Sequence, residues 1–342
     1  MRTGNALAAL VVAMAASAAA AQNVKITPLG SHDGELCASD RATIFEDPTG
    51  VRIIYDVGQT VTGGDDPRLG TIHLVLLSHA HGDHIGDRKI KARGAGTCAA
   101  IDAVPAGPNS MTAEVAAAQK AAIVMTQDMG TFVGAKVAAL RGGKAVATCP
   151  VKDNNVTEVP VAEACRSGTH LGGVFTARAA GATQGVDITI VYASHANNVP
   201  LSLLSEAHRA MHTADGSGLA LGPPTGYVIK FTNGLTAYLS GDTGIHSEMK
   251  TVVNEYHRAN LAVYNLGLSA GTNVSVAQAL NELVRPASVI FTHPNEAVTE
   301  GGTLRPASRA AALAKMLKAP AYPAISGRTM EFDGKGKCVA GC

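Results

Sequence analysis

Tryptophan is absent, and aromatic residues make up only 4% of the 342 positions. Charge of one sign is also lacking: 28 Lys and Arg stand against 27 Asp and Glu, and they form no basic stripe. A nucleic-acid-binding surface needs concentrated positive charge and often stacking rings, so this composition argues against a nucleic-acid partner. No C-x-x-C pair occurs, which counts against a thiolate metal site. After the first twenty-one residues no apolar run is long enough to cross a bilayer, so no membrane span is expected in the mature chain.

The N-terminal segment reads as an export signal. Arg2 supplies a short positive start, residues 6–16 hold only Ala, Leu, Val and Met, and Ala19-Ala20-Ala21 offers the small residues of a cleavage site. The expected division is a signal peptide at 1–21 and a mature domain at 22–342, in the periplasm or secreted. An uncleaved anchor is the alternative, and no charged stop-transfer flank follows to favour it. Six cysteines lie at Cys37, Cys98, Cys149, Cys165, Cys338 and Cys342. An even number in an exported chain points to disulfides, though six cysteines allow about 15 pairings and the sequence does not choose among them. The short intervals Cys149 to Cys165 and Cys338 to Cys342 favour local bridges.

The mature chain is long enough for one large α/β domain or two smaller ones. Strands are expected at 24–29, 42–45, 51–57, 72–77, 186–193, 226–231, 235–239, 261–266, 287–292 and 329–332. Asp47-Pro48-Thr49-Gly50 and Asn233-Gly234 mark hairpin turns. Helices are expected at 111–122, 200–211, 245–258, 274–283 and 307–317. Residues 149–185 read as a loop-rich insertion, part of the rim of a cleft.

Chemistry concentrates in His79-Ala80-His81-Gly82-Asp83-His84, delivered from the apolar run 72–77 into a Gly-containing turn. Histidines two apart cannot meet on one face of an extended chain, but in a tight turn they converge on one ion. Imidazole nitrogen and carboxylate oxygen suit Zn²⁺ and related divalent ions. An exposed loop that merely happens to hold histidines is the bland alternative.

With these residues in view, the sequence resembles the metallo-β-lactamase superfamily of hydrolases. Five landmarks carry the resemblance, in order along nearly the whole mature chain: Asp56, the motif from His79 to His84, His195 in Ala193-Ser194-His195, Asp242 in Ser240-Gly241-Asp242-Thr243-Gly244, and His293 in Phe291-Thr292-His293-Pro294. The resemblance implies an α/β fold, the αββα sandwich of two β-sheets flanked by helices. It implies two zinc ions per chain, with Mn²⁺ or Fe²⁺ compatible with the same donors. His79, His81 and His195 would hold the first ion, Asp83, His84 and His293 the second, and Asp242 would bridge them. A hydroxide held between the metals would be the nucleophile, with Asp83 and Asp242 as the catalytic carboxylates. Asp56 would not be a ligand but would hold the turn and a ligand histidine.

Gly226-Tyr227-Val228-Ile229 and Gly241-Asp242-Thr243-Gly244-Ile245 also look like the ascorbate-phosphate-lactonase-like branch of that superfamily. The aspartate at 242 departs from those β-lactamases that place a cysteine ligand there. The reading that results is an exported hydrolase cleaving an ester, lactone, amide or phosphodiester in a small-molecule substrate. A β-lactamase proper and an iron-dependent oxidoreductase are the alternatives. His32 is a candidate substrate contact and His246 a candidate support for the site, whereas His208, His212 and His257 read as surface residues and His73 as structural. Tyr192 and Tyr227 are assigned to core packing.

Overall fold

The computed structural model describes residues 22–152 and 155–342, so the expected signal peptide at 1–21 lies outside the described residues. Two eight-stranded sheets dominate the fold. The first runs, edge to edge, through Cys338–Ala340, Met330–Phe332, Val24–Leu29, Ala42–Glu46, Arg52–Tyr55, Leu74–Leu76, Ala122–Val124 and Cys165–Arg166. The second runs through Ala321–Pro323, Ser288–Thr292, Leu261–Asn265, Thr236–Leu239, Thr225–Lys230, Val186–Tyr192, Val174–Ala179 and Val156–Val159.

Side chains of a strand alternate between its two faces, and that period assigns the first sheet to two cores. Val24, Ile26, Phe45, Ile53, Tyr55, Leu74, Leu76, Ala122 and Val124 join the core shared with the second sheet. Their neighbours Ala42, Ile44, Ile54, Val75, Leu77 and Ile123 pack instead with Val115 of helix Met111–Ala118 and Val133 of helix Gln127–Leu140. The second sheet carries its own helices: Met249 and Val253 of Met249–Tyr256, Val276 of Asn273–Gln278, Leu280 of Ala279–Val284 and Leu313 of Arg309–Ala314 belong to its core. The result is the αββα sandwich that the resemblance implies.

Parallel pairing sets where the loops go. Arg52–Tyr55, Leu74–Leu76 and Ala122–Val124 run parallel in the first sheet, as do Thr236–Leu239, Leu261–Asn265 and Ser288–Thr292 in the second. Parallel neighbours send their carboxyl ends to the same edge, the usual place for a binding crevice in such sheets.

Most expected elements are present, with four differences. The helix expected over 111–122 stops at Ala118, and Ala122–Val124 is a strand buried between parallel neighbours. The run is rich in Ala and favours helix locally, but the slot between two strands overrides that preference. Helix Gln127–Leu140 was not expected, because Gly130 and Gly134 dilute its periodic signal; Met129, Val133 and Val137 nonetheless form a buried stripe at helical spacing. The 149–185 stretch is not simply a loop: it supplies Val156–Val159 and Cys165–Arg166, each at the edge of a sheet, and Val174–Ala179 one place in from an edge, strands whose short, polar-interrupted patterns resemble coil in sequence. The expected 200–211 helix forms later, as Glu206–Asp215, with the Ser205 hydroxyl accepting from His208 N at its start.

The cysteines pair as Cys37–Cys98, Cys149–Cys165 and Cys338–Cys342, two of them the local bridges favoured by spacing. No helix among the described residues is long and apolar enough to cross a membrane.

Tyr227 joins the sheets at the edge where the ligand-type residues emerge. Fully buried on the second sheet, it packs edge-on against Tyr55 of the first, with ring centroids 6.0 Å apart. Its hydroxyl donates to the carbonyls of Leu77 at 2.7 Å and Val124 at 3.1 Å. Tyr227→Phe keeps the ring and removes that donor, so it should lower the unfolding free energy by about 1–2 kcal/mol. Urea unfolding of chelator-treated protein measures this, and an unchanged midpoint would show that the hydroxyl does not hold the sheets together.

Candidate metal centre

Leu74–Leu76 ends in Leu77-Ser78-His79, and Ser78 is where the turn is fastened. The Ser78 backbone N–H donates to Asp56 Oδ1 at 2.7 Å and its hydroxyl to Asp56 Oδ2 at 2.8 Å. Asp56 closes the neighbouring parallel strand in a left-handed conformation, φ 46°, that an aspartate tolerates better than most residues. The same Oδ2 lies 2.8 Å from His84 Nδ1. A carboxylate can only accept, so His84 donates from Nδ1 and turns Nε2 toward the cleft. Asp56 therefore sits where the sequence reading put it, beside a ligand-type histidine.

Asp83 and His84 ride on the single helical turn Gly82–Ile85. Gly86 ends it at φ 75°, and a Cβ there would run into Met111 and the Gly58 carbonyl. The other residues come from the second sheet: His195 follows Val186–Tyr192, Asp242 follows Thr236–Leu239, and His293 follows Ser288–Thr292. Gly241 precedes Asp242 at φ 58°, where a Cβ would stand 2.6 Å from the Thr225 carbonyl. Asn265 supports this turn from the adjacent strand, donating to the Gly241 carbonyl at 2.6 Å.

All seven sequence-selected residues come together. His79, His81 and His195 form one triad, Asp83, His84 and His293 another, and His79, His84 and Asp242 a third, with donor atoms within 4.8 Å of one another in each. Asp242 faces both ends of the cluster: its carboxylate lies 3.9 Å from His195 Nε2, 3.4 Å from His84 Nε2 and 3.2 Å from His293 Nε2. Asp83 Oδ2 is 3.2 Å from His293 Nε2.

His79 Nε2, His84 Nε2 and Asp242 Oδ1 are buried and have no hydrogen-bond partner. A buried polar atom left unpaired costs about 1–3 kcal/mol. Three such atoms in one cluster are not a packing accident to be expected of a stable core. Their chemistry, imidazole nitrogen and carboxylate oxygen, fits a divalent cation.

The electrostatics fit the same cation. Burial holds the His79 pKa well below the ordinary value, with the positive His84 adding to the effect, so His79 is neutral and able to donate a lone pair. Burial likewise lowers His81 and His195. Burial alone would lower His84 too, but the carboxylates of Asp242, Asp83 and Asp56 outweigh it and raise its pKa to about 10. Burial opposes ionisation of Asp83 and Asp242, yet His84 and His293 around both, with Arg41 beside Asp83, hold both far below the carboxylate range. Without a cation, the cluster draws a proton onto His84 to balance its acids.

Arg41 was missed in the sequence. Its side chain is only 4% exposed, and all five N–H donors are used. Nε and Nη2 reach Asp83 Oδ2 at 3.1 and 3.0 Å, Nη2 also reaches Asn295 Oδ1 at 2.6 Å, and Nη1 reaches the carbonyls of Ala38 and Asp40. No motif marks a lone arginine 42 positions before its carboxylate. Among the remaining histidines, His73 Nδ1 accepts from Arg52 N at 3.0 Å, a structural role. His208 is exposed on Glu206–Asp215, and His246 packs against Tyr192 with ring centroids 5.2 Å apart.

No family model matches the chain. It is similar to a UPF0173 metal-dependent hydrolase of Cupriavidus taiwanensis, 26% identical over 238 residues, 69% of this chain and 63% of that relative's length. A UPF0173 metal-dependent hydrolase of Polynucleobacter asymbioticus is 25% identical over 299 residues, 83% of this chain and 81% of that relative. Among solved structures, the fold is similar to Igni18, described as a novel metallo hydrolase from the archaeon Ignicoccus hospitalis, with a TM-score of 0.54 and 20% identity over 91% of this chain and 99% of that one.

The charge balance predicts how the metal-free protein responds to pH. The raised His84 contributes stability that is complete below its ordinary value of 6.5 and is lost as pH rises through about 10. The lowered His79, His81 and His195 act in the opposite sense, since stability is lost as pH falls below 6.5 and they are forced to charge. Urea midpoints of chelator-treated protein should therefore peak near neutrality and decline toward pH 10, and His84→Gln should flatten the alkaline side. An alkaline limb identical in the two proteins would remove His84 as its source.

Proposed function

We propose that this chain, a protein of the metallo-β-lactamase fold, is an exported metal-dependent hydrolase that holds two divalent ions, zinc first among them. The observation that carries this reading is the convergence of seven ligand-type residues from four strand ends, with His79 Nε2, His84 Nε2 and Asp242 Oδ1 left without partners. The names of the relatives, metal-dependent hydrolases, support it. His79, His81 and His195 would hold the first ion, Asp83, His84 and His293 the second, with Asp242 between them. Bound there, divalent ions would make water acidic enough to attack at neutral pH and would polarise the bond under attack.

The chain's own residues prepare that chemistry. Burial keeps His79 neutral, and Asp56 fixes which nitrogen of His84 faces the cleft. Asp83, whose side chain is 37% exposed, is the carboxylate nearest solvent and would orient a reacting water as well as bind. Arg41 holds Asp83 from behind by Oδ2. The substrate class in this reading is a small molecule with an ester, lactone, amide or phosphodiester bond. Export through residues 1–21 belongs to the proposal, and three disulfides are in keeping with an oxidising compartment.

Two measurements test it. Elemental analysis of reconstituted mature protein should give two divalent ions per chain, and the loaded protein should turn over at least one of nitrocefin, an acyl-homoserine lactone, bis-p-nitrophenyl phosphate or an aryl ester. No bound metal after reconstitution ends the proposal. Asp242→Asn keeps the size and removes the charge, so it should lose second-metal affinity and lower turnover by at least about a hundredfold. His195→Ala should weaken the first site more than the second. Near-normal turnover with two tightly held ions in Asp242→Asn would leave Asp242 an ordinary turn residue.

A further inference from the structure

Asn197 lies outside all three triads and is 4% exposed. Its Oδ1 accepts from the Ala80 backbone N–H at 2.7 Å, between His79 and His81. Its Nδ2 donates to the carbonyls of Leu221 at 3.0 Å and Gly222 at 3.1 Å. The orientation of the amide follows from its partners, because an N–H can only donate and carbonyls only accept. The backbone repeats the link: Leu221 N donates to the Asn197 carbonyl at 3.0 Å, and Val199 N to Leu219 O at 2.9 Å. Asn197 also stands two residues after His195, so one side chain joins the loops that bear all three imidazoles of the first triad.

We propose that Asn197 is a positioning residue for the first triad, holding the His79–His81 turn at a fixed distance from His195; this rests on the metal-centre reading above. Ala80 is fully buried, so its N–H has no water to turn to if the carboxamide is removed. The turn would then relax to find another acceptor, and His79 and His81 would move with it. The second triad has separate supports, Asp56 behind His84 and Arg41 behind Asp83. The effect of Asn197 is therefore confined to one ion. Only an amide supplies the acceptor for Ala80 and the donor for Leu221 and Gly222 together.

The test uses the full mature chain and Zn²⁺ alone, by chelator competition, in two backgrounds: His293→Ala, which leaves the first triad whole, and His81→Ala, which leaves the second. Asn197→Ala should raise the first-site Kd by about tenfold to a hundredfold, the usual effect of removing a group that orients a metal ligand. The second-site Kd should change by less than about threefold, as for sites with no shared partner. Asn197→Asp keeps the acceptor and loses the donor. It should lower the thermal midpoint while leaving first-site affinity within about threefold, and it carries the test if Asn197→Ala does not fold. Equal losses at both sites, a lower midpoint in Asn197→Ala with affinity unchanged, or a first-site loss in Asn197→Asp as large as in Asn197→Ala would each overturn the proposal. Zn²⁺ binding in neither background of the otherwise unaltered chain would overturn the metal-centre reading and this inference with it. Binding that is indifferent to Asn197 would overturn the inference alone.

Discussion

Asp83 and Asp242 bring two carboxylates into a cleft whose walls are mostly buried, and the surrounding structure answers that concentration of negative charge. Arg41 supplies a permanent positive charge to Asp83. His84, pressed by three carboxylates, takes up a proton in the metal-free protein. His293 stands within 3.2 Å of both acids. A divalent ion at the triads would replace the His84 proton and satisfy the same balance, so metal uptake and proton release are linked by the electrostatics of the site.

That balance is possible only because two sheets deliver side chains to one edge. Short parallel strands end level with one another, so Asp56 and Ser78 meet on the first sheet and Asp242 and Asn265 on the second. Tyr227 then bonds across to Leu77 and Val124, and Thr225 N donates to the Ser78 carbonyl at 2.8 Å. The supports of the ligand-type residues are thus also the contacts that lock the sheets together.

Glycine stands at this edge where the chain must turn sharply beside other backbone. Gly86 and Gly241 both adopt left-handed conformations with a neighbouring carbonyl in the place of a Cβ. One ends the turn that bears Asp83 and His84, and the other starts the turn that bears Asp242. The ligand-type residues are therefore held by backbone shape as well as by hydrogen bonds.

The sequence by itself, through its histidine motif and the resemblance built on it, picked out the seven residues that the fold brings together. His79 to His84 could be read from one short motif, and His195, Asp242 and His293 from the resemblance to the metallo-β-lactamase superfamily, each at the end of an expected strand. Most strands were legible too, since burial on one or both faces leaves a periodic or continuous apolar record. Only the tertiary structure decided the rest. Ala122–Val124 is a strand because two parallel neighbours leave a slot there, against its own helix preference. Within 149–185, Cys165–Arg166 forms against Ala122–Val124, and Val156–Val159 pairs in parallel with Val174–Ala179 across an intervening stretch, pairings that no local pattern announces. Arg41 and Asn197 carry no local signature, since an arginine or an asparagine reads as surface until folding removes the water around it. Their meaning lies in whom they meet, Asp83 and Ala80, and sequence separation conceals such meetings.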